Sequence, residues 1–118
     1  MPITDRYPFR SDIRASLVEA ASKGDIVNYL DLGAGRAMIG RYLIRIAMEE
    51  REAGRPPLTS VVVRKDTGLP GAGFLEAMVA VGYIASAEGE DERDVWHRAV
   101  REVFEYWRPK LRDDLKRA

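Results

Sequence analysis

The sequence has no cysteine, a single histidine and no excess of either charge. The absence of cysteine excludes disulfides, thiol catalysis, thiolate zinc sites and iron–sulfur clusters. His97 is the one histidine, and no pairing of a nucleophile with a base or of metal ligands is visible around it. Lys and Arg total 19 and Asp and Glu total 19, so binding to nucleic acid requires a local basic patch. We therefore predict a protein without catalytic residues, metal or cofactor.

The chain also lacks long apolar runs. Residues 1–7 do not contain the apolar stretch of a signal peptide, and no run approaches the roughly 20 residues of a membrane span. The length of 118 residues and the hydrophobic fraction of 46% suit one core. We expect a cytoplasmic protein without a membrane segment, in which residues 1–109 form a single domain and residues 110–118 a charged, frayed tail.

Apolar residues recur at helical spacing in four segments, which predict four helices. The first covers residues 12–22, with Ser11 as its N-cap and Gly24 as its C-terminal cap. The second covers residues 36–53. The third begins near Phe74 and ends at Gly82, and the fourth runs from the acidic loop at 87–92 to Pro109.

Residues 26–30 predict a brief strand or an extended connection, residues 58–64 predict a short strand, and the turn Lys65–Gly68 follows the second segment. We expect a mainly helical α+β fold with a small sheet. The order helix, strand, turn, long helix, strand and turn is that of a winged-helix unit, to which the chain adds a C-terminal amphipathic helix.

A DNA-binding module is the leading functional hypothesis. Arg41 and Arg45 are four residues apart and share a face of the second helix, which begins at Arg36. This helix would enter double-stranded DNA, and the loop at 64–73, with Arg64, Lys65 and Thr67, would contact phosphate. The alternative is a solvated face in which Arg45 pairs with Glu49.

A protein-binding module of the adaptor, antitoxin or immunity type is the second hypothesis. Aromatic side chains are concentrated in the last helix, where Tyr106 falls off the main apolar stripe. A stripe wider than the domain can cover would serve a protein partner or a homodimer through the C-terminal helix. The candidate contact residues lie in this helix, in the Pro/Gly loop at 65–73 and at the start of the third helix: Trp96, Tyr106, Trp107, Pro70 and Phe74.

Two stretches, 27–33 and 36–43, resemble the DNA-binding half of alkyltransferase and alkyltransferase-like proteins, and the resemblance covers about residues 26–64. It implies a winged-helix fold and contact with DNA. The chain has no cysteine to accept an alkyl group, and Ala37 stands where the family has its base-flipping arginine. Residues 54–58 and 65–74 are also similar to small uncharacterised bacterial proteins.

The segment Asp31–Gly35 is similar to the first motif of methyltransferases that bind S-adenosylmethionine. That fold needs several parallel strands and an acidic residue at the end of the second strand. Here the second predicted strand ends in Arg64 and Lys65. We therefore interpret these glycines as a turn between elements and expect no cofactor.

Overall fold

The computed structural model describes residues 7–71 and 73–117, with side chains to Arg108 except that of Arg36. The described residues form four α-helices, two short strands and two 3₁₀ turns. The helices are α1 (Ser11–Lys23), α2 (Arg36–Glu52), α3 (Phe74–Ala80) and α4 (Glu92–Arg117). The strands are β1 (Val27–Asn28) and β2 (Val62–Val63), and the 3₁₀ turns are Tyr29–Leu32 and Leu58–Val61. The predicted mainly helical α+β class is confirmed.

The two strands are parallel, with Val27 opposite Val62 and Asn28 opposite Val63. Parallel neighbours require a crossover, and α2 lies in the connection between them. Both strands are shorter than predicted because 3₁₀ turns take up part of each β-branched segment. The winged-helix arrangement within this class is not confirmed. From β2 the described chain passes through a turn into α3 without a further strand.

The core consists of two packed groups. One joins α1, α2, the second 3₁₀ turn and α4 through buried side chains that include Leu17, Ile46 and Val103. The other joins β2, α3 and α4 through Val63, Met78 and Val95 among others. Phe104 packs against both groups, so α4 connects them. None of the described helices is long and apolar enough to cross a membrane.

The ends of the helices confirm some expectations and correct others. Gly24 caps α1 at φ 75°, as predicted, because its left-handed conformation returns backbone N–H groups to the last carbonyls. Ser11 is not the N-cap. It lies inside the helix after Arg10. Asp91 accepts a hydrogen bond at 3.1 Å from the backbone N–H of Asp94, so an acidic residue does begin α4.

The prediction that Pro109 ends the last helix is wrong, since α4 continues to Arg117. Proline is costly inside a helix because it lacks an N–H donor and its ring crowds the preceding turn. Its fixed φ is nevertheless helical, so the cost is local and the backbone can continue. Residues 110–117 are therefore part of this helix.

A fully buried carboxylate joins α2 to its neighbours. Glu50 has 0% exposure and accepts hydrogen bonds from Arg14 of α1, at 2.6 Å, and from Arg55 in the loop after α2. The guanidinium of Arg14 also lies 5.6 Å from the centre of the Trp107 ring of α4. Burying a carboxylate is unfavourable unless it is paired and hydrogen-bonded, and here both oxygens have a cationic donor.

We predict that Glu50→Gln lowers the free energy of unfolding by about 3 kcal/mol, because two partly buried guanidinium groups lose their shared anion. The measurement is urea unfolding followed by tryptophan fluorescence. Glu52→Gln, at an exposed position of the same helix, is the control and should change stability by less than about 0.5 kcal/mol. Equal losses in the two variants would show that the buried pairing has no special role.

Candidate binding cleft

Arg45, one of the predicted DNA contacts, is engaged within the protein. Its Nε donates to Glu49 at 2.7 Å, its Nη1 donates to the backbone carbonyl of Tyr7 at 3.1 Å, and its guanidinium lies 5.8 Å from the centre of the Phe9 ring. The self-paired face that the sequence offered as an alternative is therefore present at this position. Arg45 fastens the segment before α1 onto α2.

The other predicted DNA contacts differ in their surroundings. Arg41 is exposed on α2, and the side chain of Arg36 lies outside the described residues. Arg64 makes two hydrogen bonds to Asp66, at 3.1 and 2.9 Å, which lower the pKa of that carboxyl group. Lys65 and Thr67 are exposed, and the Thr67 hydroxyl accepts from the backbone N–H of Leu69 at 3.2 Å. No hydrogen bond or ion pair joins the described groups of this turn to those of Arg41 or Arg45.

Two of the predicted partner contacts belong to the core. Trp96 is 9% exposed, and its Nε1 donates to the carbonyl of Ser60 at 2.9 Å. Phe74 is 8% exposed and packs in the group around α3. Their contribution is to stability, because neither ring presents the surface that a partner would need. Pro70, Tyr106 and Trp107 are half-buried.

A cleft of about 510 Å³, open to solvent, lies between the end of α2, the loop after α3 and one face of α4. Tyr106 of α4 lines it, so one of the residues predicted to contact a partner is part of this site. The rest of the lining comes from segments separated in the sequence: Ala47, Arg51, Gly54, Arg55, Pro56, Pro57, Val81, Gly82, Tyr83 and Glu102. The cleft combines apolar and aromatic surface with a few charged groups, as binding sites generally do.

Arg98, Glu102 and Tyr106 are spaced four residues apart and form a stripe along one face of α4, and Glu102 and Tyr106 line the cleft. Tyr83 lies across this stripe. Its hydroxyl donates to Glu102 Oε2 at 2.7 Å, and the Arg98 guanidinium lies 5.4 Å from its ring centre. Burial and the hydrogen bond to Glu102 raise the pKa of Tyr83. The phenol therefore remains protonated and holds the carboxylate in place.

The opposite wall carries two cations from the end of α2. Arg51 is exposed, and its Nη1 donates to the backbone carbonyl of Ala80, the last residue of α3, at 3.2 Å. Arg55 is half-buried and pairs with Glu50, which raises its pKa. Both arginines are therefore fixed by contacts within the protein, and both line the cleft.

The sequence did not single out Arg51, Arg55, Tyr83 or Glu102. Arg55 occurs next to the Pro56–Pro57 pair, after the predicted end of the second helix, in a segment to which no activity was attached. Tyr83 follows Gly82, which was interpreted as the end of the third helix. The one available signal was the position of Tyr106 off the apolar stripe of its helix. A side chain at that position faces away from the core and can contact groups outside it.

The pKa shift of Tyr83 gives a testable pH dependence. Because the folded protein keeps this proton above about pH 10, where the unfolded chain loses it, the free energy of unfolding should fall as pH rises past that value. The phenolate absorbance of the native protein, compared with that of Tyr83→Phe, should show one tyrosine titrating above about pH 10.

The matched variant is Glu102→Gln, which retains a hydrogen-bond acceptor but removes the negative charge beside the phenol. Its Tyr83 midpoint should move toward the ordinary tyrosine value. An unchanged midpoint would assign the raised pKa to burial alone.

No protein-family model matches the chain, and neither a curated protein nor a solved structure is significantly similar to it. The cleft beside Tyr106 is the feature that brings aromatic, apolar and charged groups together in one place.

Proposed function

We propose that this protein is a protein-binding module that holds an extended segment of a partner in the cleft beside Tyr106. The observation that carries the proposal is the composition of the lining, which combines two tyrosines, two arginines and a proline pair around an open volume of about 510 Å³. Tyr and Arg are enriched at protein interfaces, where they act as anchors. Aromatic-lined grooves are also a recurrent means of binding extended peptides.

The lining is fixed before any partner arrives, which favours binding. Tyr83 is held by Glu102, Arg51 by the carbonyl of Ala80, and Arg55 by Glu50. Ordering a flexible side chain on association costs about 0.5–1.5 kcal/mol, and much of this cost is absent for side chains that are already held. Most of the entropic cost of binding would therefore come from ordering the partner segment, and little of it from ordering the cleft.

DNA binding is the second candidate, favoured by one observation. Arg41 projects from the exposed side of α2 and makes no hydrogen bond or ion pair with any other described residue. Its guanidinium is therefore available to a phosphate or a guanine edge. Arg45 and Arg64, by contrast, would have to leave Glu49 and Asp66 first.

We predict that filling the cleft abolishes peptide binding. Ala47 is half-buried in the lining, and Ala47→Trp places a large ring in the cleft. A display library of random short peptides, selected on the wild-type protein, should yield sequences that bind the wild type and lose binding to Ala47→Trp. The matched control is Ala37→Trp, at an exposed position about 15 Å along the same helix.

Circular dichroism establishes that both tryptophan variants are folded, and Tyr106→Ala tests the same wall by removing bulk instead of adding it. Peptides that bind wild type and Ala37→Trp but neither cleft variant would support the proposal. If the library yields no binder, or if its binders ignore both cleft variants, the cleft is not a partner site.

The DNA candidate has its own measurement, the fluorescence anisotropy of labelled duplex DNA titrated with protein at low and moderate salt. If α2 contacts the duplex, binding should weaken steeply with salt, and Arg41→Gln should reduce both the affinity and the salt dependence. Absence of binding at low salt would remove this candidate.

A further inference from the structure

The charges around the cleft are unequal in number. Arg51, Arg55 and Glu102 line it, Glu50 pairs with Arg55 and Arg14, and Arg98 lies over the ring of Tyr83, which binds Glu102. With Glu90, whose charge also acts on Arg98, this set contains four guanidinium groups and three carboxylates, so the surroundings of the cleft keep a net positive charge although the whole chain is neutral. The Glu49 carboxylate, whose charge also reaches Arg55, is paired with Arg45.

Building on the function proposed above, we propose that the partner segment is acidic and proline-containing, and that its carboxylates bind to Arg51 and Arg55 while its prolines pack on the rings of Tyr83 and Tyr106.

The positive excess has two identifiable sources. Glu50 has one charge but two cationic partners, so it leaves the equivalent of one positive charge on Arg14 and Arg55. Arg51 has no carboxylate partner among the described residues. Its one hydrogen bond is to a backbone carbonyl, which does not neutralise it. Arg51 at the end of α2 and Arg55 in the loop after it carry this excess positive charge into the cleft.

Arg51 has the geometry of an anchor. Its Nη1 is taken by Ala80, and its Nε and Nη2 lie against Gly82, 3.6 and 3.8 Å from the place where a Cβ of that residue would be. No described residue accepts a hydrogen bond from Nε or Nη2, so both donors of this edge of the guanidinium are available. An edge with two N–H groups matches a carboxylate, which can accept both bonds. The exposure of Arg51 admits such a ligand from solvent.

Glu102, the one carboxylate in the lining, does not cancel this preference. The Tyr83 hydroxyl binds one of its oxygens at 2.7 Å, and Arg98 lies one turn earlier on the same face of α4. Its charge is therefore engaged by the Tyr83 hydroxyl and acts on the Arg98 guanidinium. Rings and cations are neighbours in the lining, since Tyr106 interacts electrostatically with Arg55 and Arg51 lies against Gly82, next to Tyr83.

The combination of ring surface and cations in one lining selects the partner chemistry. Proline-rich segments adopt an extended conformation at low entropic cost and pack on aromatic grooves. Acidic residues beside the prolines would meet the guanidinium groups, and the attraction would be sensitive to salt. A basic segment would meet like charges and be rejected.

The test is a nuclear magnetic resonance titration of the wild-type protein, with the backbone amides and the arginine Nε–H groups labelled. The probe is a blocked peptide of two prolines with two glutamates on each side, and its matched control carries glutamine in place of every glutamate. We expect the acidic peptide to shift the Arg51 and Arg55 Nε–H signals and to bind at least about tenfold more tightly than the glutamine peptide.

Substitution of one cation locates the contact. Arg51→Gln should weaken binding of the acidic peptide by about tenfold and leave the glutamine peptide unaffected, because only the charged contact is lost. Arg41→Gln, on the same helix but outside the lining, should bind both peptides as the wild type does. If Arg41→Gln weakens binding as much as Arg51→Gln, the attraction is diffuse and the proposed anchor is wrong.

The outcomes separate this inference from the function on which it rests. If the two peptides bind equally in the cleft, a peptide site exists but the acidic preference is wrong. If neither binds while the library selection yields cleft-dependent peptides, the acidic proline class is wrong and the protein-binding function stands. If the library also fails, both proposals are overturned.

Discussion

The pairing of one buried carboxylate with two arginines is the constraint on which most of this structure depends. Glu50 is removed from water on α2, so it has to be met by Arg14 of α1 and by Arg55 of the following loop. Arg14 in turn lies over Trp107 of α4. The need to pair one buried carboxylate therefore links three helices and sets the direction in which the chain leaves α2.

The cleft is a consequence of the same pairing. Arg55 is held by Glu50, and the Pro56–Pro57 segment that follows it lines the cleft together with Tyr106 of α4. Arg51, one residue after Glu50, points away from the core and reaches the end of α3. Adjacent positions on α2 thus have opposite roles. One charge is buried for stability, and the next remains at the surface where a ligand can use it.

Local pattern was sufficient for the elements whose causes are local. The helical spacing of the apolar residues, the glycine cap at Gly24 and the turn at Lys65–Gly68 were all readable. Local sequence pattern did not predict the features that depend on contacts between residues distant in the chain. Nothing near Glu50 distinguishes it from exposed Glu52, and nothing near Tyr83 indicates Glu102 as its partner. Arg45 was predicted as a surface cation, but the segment before α1 covers it. Tyr106 alone gave a usable signal for the site.

The small parallel sheet has a consequence for the order of folding. Its two strands contribute two residues each, and they are about 35 positions apart in the chain. Closing a loop of that length costs more entropy than so few backbone bonds can return. The strands can therefore pair only after α1, α2 and α4 have collapsed around Leu17 and Ile46. In this protein the sheet forms as a result of helix packing. Its hydrogen bonds should be the last to acquire protection from solvent exchange as the chain folds.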